Sequence, residues 1–251
     1  MNKTTFADSL RKLAVALIIV LCIFPLSATN PQKNEMKELN VKKVSLANVA
    51  VENVPALLDK EKVAFQPINT VNWPAFPYQP EVQFRIAHTD DAILLNYRVK
   101  EASVRAVAAG DNGAVWEDAC VEFFSIPAGD GIYYNVECNC AGTLLIGAGA
   151  GRGNREHASQ EVLDKVQRWS SLGRASFEER VGECNWELAL VIPYSAFFKH
   201  QLTDLDGKTI RANFYKCGDG LQTPHFLSWN PIGLEKPNFH CPEFFGTLNF
   251  E

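Results

Sequence analysis

Two glutamates and a tryptophan are the residues best placed to do chemistry. In Cys120-Val121-Glu122-Phe123-Phe124, Glu122 lies on the strand face opposite Val121 and Phe123. In Tyr133-Tyr134-Asn135-Val136-Glu137-Cys138-Asn139, one face carries Asn135, Glu137 and Asn139. If these strands pair, Glu122 stands beside Asn135 or Glu137, with opposed Cβ atoms ~5 Å apart. Glycoside hydrolysis needs two carboxyls roughly 5–9.5 Å apart, so Glu122 and Glu137 could serve it. The same groups could instead hydrogen-bond sugar hydroxyls without cleaving anything. Trp116 follows the turn Asp111-Asn112-Gly113 and precedes the Glu122 strand. At such an entry a tryptophan fills the core or offers its ring as a platform.

Other chemistry has weaker support. Beyond Cys22 the cysteines are Cys120, Cys138, Cys140, Cys184, Cys217 and Cys241. An even number in an exported chain permits disulfides, but spacing selects no pairing. Cys120 also reads as a small core residue, and Cys138 and Cys140, sharing one strand face, as thiols that pair elsewhere or stay buried rather than pair with each other. Metal binding, with His225 and His240 as helpers, is the sharper alternative, although no C-x-x-C spacing supports it. The run Gly147-Ala-Gly149-Ala-Gly151-Arg-Gly153 lacks both the dinucleotide and the P-loop spacing, and reads as a flexible loop between strands. No G-x-S-x-G elbow is present. The formal charge of −5, with no basic stripe, argues against nucleic acid as a partner.

The elements that must position these residues are mostly strands. Lys3, Arg11 and Lys12 precede an apolar run from Leu13 to Phe24, and Pro25 and Ser27-Ala28 follow. That is the pattern of a cleaved signal peptide over 1–28. The run is shorter than the ~20 residues that span a bilayer. Secretion or a periplasmic location is expected, with no membrane span in the mature chain. Residues 29–39 read as a flexible leader, and 40–251 as one domain. A first strand is expected over 41–51 and a helix over 53–60 capped by Asn53. A hairpin follows, 82–86 with 93–99, turning at Thr89-Asp90-Asp91. Further strands are expected over 119–126, 132–139, 143–146, 176–181, 186–192, 209–217 and 246–250. Residues 161–168 suit either a helix or a strand edge. Many short strands separated by turns predict an all-β fold, an antiparallel, jelly-roll-like β-sandwich with one or two short helices.

At Trp116 the chain resembles a known family. Val115-Trp116-Glu117-Asp118-Ala119-Cys120-Val121-Glu122-Phe123-Phe124 resembles the W-x-x-D-S-V-E-x-F core of family 9 carbohydrate-binding modules. The stretch from His88 to Leu95, Trp186 to Pro193, and the terminal Phe245-Gly246-Thr247-Leu248 are similar to that family in the same order. With Asn72-Trp73-Pro74, the stretch from Asn213 to Asp219, His225 and Ser228-Trp229-Asn230-Pro231, the pattern looks like the stand-alone exported subgroup of glycan-degrading bacteria. The resemblance implies a sandwich that binds a terminal sugar without cleaving it, in association with glycan-degrading enzymes; a partner-binding sandwich that has lost the sugar is the alternative. It implies no catalytic cofactor, while structural calcium is possible in the family. Carried over by position, Trp116 is the first stacking ring and Glu122 the acidic contact. The second ring falls at Phe239, where the family has Trp. A family Arg falls at Asn135, and a further polar contact at Tyr215 or Lys216. Trp73 and Trp229 read as core or loop anchors.

Overall fold

The computed structural model describes residues 35–45 and 50–251. The signal expected over 1–28 and residues 46–49 of the expected first strand lie outside the described residues. The elements run β1 Glu38–Lys43, α1 Val54–Lys60, β2 Gln66–Pro67, β3 Thr70–Val71, β4 Glu81–His88, β5 Ala92–Ala106, β6 Cys120–Ile126 and β7 Tyr133–Asn139. They continue with β8 Leu144–Gly149, β9 Glu156–His157, α2 Gln160–Lys165, β10 Gln167–Ser170, β11 Phe177–Pro193, β12 Thr209–Cys217, β13 Phe226–Ser228 and β14 Gly246–Phe250.

Two sheets face each other. One has the order β10-β11-β5-β4-β1, and the other β1-β14-β12-β6-β7-β8-β9. β1 belongs to both. Its first four residues pair with β14 and Lys42–Lys43 pair with β4. Both pairings are parallel, and every other pairing is antiparallel. Aromatic rings lock the sheets together. Phe84 of β4 stacks on Phe214 of β12 with centroids 3.6 Å apart. Phe123 also stacks with Phe214, and Trp229 packs edge-on to both Phe84 and Phe214. Burying each such ring is worth ~1.5–3 kcal/mol.

Several boundaries differ from expectation. Strand pairing includes Glu38, inside the expected leader, and β1 ends at Lys43 instead of continuing to residue 51. Asn53 does stand before α1, but its side chain makes no cap bond. A 3₁₀ turn over Val51–Asn53 precedes the helix and holds Asn53 at φ −96°, ψ −1°, outside the extended geometry that aims a capping oxygen. The strands expected over 176–181 and 186–192 are one 17-residue strand, β11. Its register against β5 shifts twice, and Gly182, at φ +131°, sits in the second irregularity. Residues 161–168 hold both alternatives in turn, α2 and then the start of β10. Gly147 and Gly149 belong to strand β8, so the loop is shorter than the glycine run suggests.

Candidate functional site

The second sheet is buried on both sides. Along β6, Val121 and Phe123 enter the core between the sheets, while Cys120, Glu122 and Phe124 point outward. Trp73, Ile232, Phe239, Cys241 and Phe245, on loops and a short turn, pack over that outward face. A cleft of about 300 Å³ opens between these loops and the strands.

Glu122 and Glu137 are directly opposed in the β6–β7 register and both line the cleft. Of the two neighbours that strand alternation allowed Glu122, the register selects Glu137, and Asn135 stands opposite Phe124. Burial raises both carboxyls above their ordinary range, and Glu137 reaches about 7. Glu122 is pushed further by Cys217 and by Glu137 itself. Cys217 lies with its Sγ 3.0 Å from Glu122 Oε1. Asn135 donates to Glu137 Oε1 at 2.8 Å.

Trp116 stands at the cleft in a 3₁₀ turn spanning Val115–Glu117, 39 % exposed. The turn is pinned from behind. Buried Asp118 accepts from the amides of Val107 and Ala108, from Arg105 Nε and from Asn139 Nδ2. Arg105 also donates to the carbonyls of Glu117 and Gly220. Phe239 lines the same cleft. Tyr215 lies beneath it, its ring stacked 4.2 Å from that of Phe239 and 6° from parallel. Tyr215 thus supports the aromatic wall and does not line the cleft.

Lys216 requires correction as a site residue. It alternates with Tyr215 on β12 and so points into the sandwich. There it is fully buried, its Nζ 2.9 Å from Glu101 Oε2 and 2.7 Å from His225 Nε2. Trp186 Nε1 donates to the other oxygen of Glu101. The lysine supplies the proton, so His225 Nε2 accepts and Nδ1–H donates to Thr223 O. Burial, with the Lys216 charge behind it, drops His225 to about 3. His240 contacts Tyr133 Oη instead, so neither histidine joins the cysteines. Trp73, whose Nε1 donates to Leu234 O, anchors a loop, and Trp229 lies in the core.

Arg155 was not anticipated. Its guanidinium binds Asn135 Oδ1 through Nε and Nη2, reaches the carbonyls of Tyr133 and Gly147, and lies 4.1 Å over the Tyr133 ring. A guanidinium therefore stands beside Asn135, the position where the resemblance places an arginine. A Cβ on Gly147 would come within 2.6 Å of Asn135 Oδ1 and 3.3 Å of Arg155 Nε, so the glycine makes room for the contact. Two glycines at strand spacing, followed closely by an arginine, were the signal available in the sequence. Asp219, His240 and Asn238 also line the cleft, and nothing local in the sequence marks them.

All six cysteines among the described residues are free thiols. Cys138 and Cys140 lie in the core between the sheets. Among the described residues, the only cluster of three His, Cys, Asp or Glu donors close enough to share an ion is Cys120, Glu122 and Cys217. Two of the three donors are sulfur, a poor fit for calcium, which takes oxygen ligands. Among the described residues no helix is long and apolar enough to cross a membrane.

The chain is similar in structure to two forms of a family 9 carbohydrate-binding module from Caldicellulosiruptor kristjanssonii, one with glucose and one with cellotriose. The glucose form has a TM-score of 0.54 at 12% identity, covering 86% of this chain and 96% of that one. The cellotriose form has a TM-score of 0.55 at 13% identity, covering 86% and 94%. At these identities the likeness concerns the fold. A Bacteroides uniformis protein described as carbohydrate-binding is 67% identical, with a TM-score of 0.84 over 86% of this chain and 99% of that one. No curated protein matches. The model of carbohydrate-binding family 9 matches residues 52–250, and the chain belongs to that family.

Proposed function

We propose that the cleft binds the end of a sugar chain and does not cleave it. Trp116 carries the reading. Among the described residues only three large hydrophobic side chains are exposed, Val107, Trp116 and Val181, and Trp116 is the one aromatic. An indole held out to solvent by a rigid turn, at a cleft floored with carboxyls and an amide, suits the apolar face and hydroxyl rim of a sugar. Phe239, backed by Tyr215, forms a second aromatic wall. Glu122, Glu137 and Asn135 take hydroxyls, with Asn135 oriented by Arg155. Export through residues 1–28 would place the protein in the periplasm or outside the cell, alongside glycan-degrading enzymes.

Calorimetry with glucose, cellotriose and a wider glycan panel tests the reading. Binding should weaken about tenfold or more in Trp116→Ala, a loss of ~1.4 kcal/mol. Failure of the unmutated protein across the whole panel would overturn it. The opposed glutamates support a second reading, hydrolysis through Glu122 and Glu137. It requires product release from a chromogenic glycoside, lost in Glu122→Gln.

A further inference from the structure

Cys120 and Cys217 face each other directly across the β6–β12 ladder. Glu122 lies two residues along β6 from Cys120 and so shares its face. One donor atom from each of the three lies within 4.8 Å of the other two. All three side chains are buried, yet Cys217 and Glu122 line the cleft while Cys120 sits behind them. All four buried thiols Cys120, Cys138, Cys140 and Cys217 pack among aliphatic and aromatic side chains, but Cys138 and Cys140 belong to the core between the sheets and have no place in the donor cluster. Cys120 and Cys217 instead converge on a carboxylate at the base of an open cavity.

We propose that Cys120, Cys217 and Glu122 form a site for one thiophilic metal ion of the zinc class, with its fourth position open to the cleft. Two sulfurs and a carboxylate select zinc, cadmium or copper(I) over calcium and magnesium. Tetrahedral zinc, with bonds of ~2.3 Å to sulfur and ~2.0–2.2 Å to oxygen, sets its donors roughly 3.5–3.8 Å apart. Three protein ligands and one open position leave room for water or a ligand hydroxyl. Glu122 would then be shared between metal and sugar, so occupancy of one should change affinity for the other.

The test is a cadmium titration of the purified protein, reduced and stripped of metal, followed by thiolate-to-cadmium absorption in the ultraviolet. One equivalent should saturate the band, and zinc should displace it. Cys120→Ser and Cys217→Ser should each lose the band, while Cys138→Ser and Cys184→Ser should keep it. Cadmium NMR of the unmutated protein should report two sulfur ligands, a readout that does not depend on a variant folding. An absent band, a band that survives both Cys120→Ser and Cys217→Ser, or a Cys120–Cys217 disulfide in protein isolated without reductant would each overturn the proposal. The readout involves no sugar, so its failure is separable from failure of the sugar reading.

Discussion

Replacing Glu137 by glutamine removes a charge while keeping the side chain's shape and the oxygen that accepts from Asn135 Nδ2. Burial, opposed in part by that Asn135 bond, lifts the carboxyl from 4.5 to about 7. At ~1.4 kcal/mol per pH unit the rise amounts to about 3 kcal/mol. The unfolded chain releases this proton near the ordinary glutamate value, and the folded chain releases it near neutrality. Between the two the folded state holds more protons, so the contribution of Glu137 to stability falls as pH rises through that window and levels off above about 7. Glu137→Gln should therefore match the unmutated protein at about pH 4 and exceed it by about 3 kcal/mol at about pH 8. Glu122, raised partly by the charge of Glu137, should add in the same direction. His225 and His240, both held low by burial, are present in both proteins and cancel from the difference. Urea unfolding across this pH range measures the gap directly. A gap independent of pH, or a variant less stable at the alkaline end, would refute the reasoning.

Three further outcomes follow from packing. Lys216→Met leaves Glu101 buried without its cation and should cost ~3–5 kcal/mol, with much of the loss recovered in the Glu101→Gln/Lys216→Met double variant; thermal unfolding checks both. Phe239→Ala removes a ring stacked on Tyr215 and 6.0 Å from Trp73, and should lower stability by ~3 kcal/mol in denaturant while weakening sugar binding. Gly147→Ala pushes a methyl against Asn135 and Arg155 and should cost ~1 kcal/mol of stability with a larger proportional loss of glycan affinity, read by calorimetry against the unmutated protein.

Strand alternation was legible wherever it was clean. The bounds of β12 and β14, the shared face of Asn135 and Glu137 and the turn before Trp116 all follow from period-two spacing and local turn residues, whereas the register that opposes Glu122 to Glu137 rather than to Asn135 came from the pairing. Alternation also placed Tyr215 and Lys216 on opposite faces, so no more than one of them could approach the cleft. Which face held the cleft was not legible. Every residue of β6 and β7 is buried, because one face of the sheet meets the other sheet and the other lies under loops. Polar and apolar side chains therefore no longer distinguish inside from outside. Lys216 was one of two positions to which the resemblance carried a polar contact; Glu101, brought beside it from β5, makes its burial tolerable. Arg155 reaches Asn135 only because β8 pairs with β7 and carries a glycine at the crossing. Spacing along the chain determined which side chains share a face. Pairing and loop coverage, set by residues far apart in sequence, decided which face became the cleft.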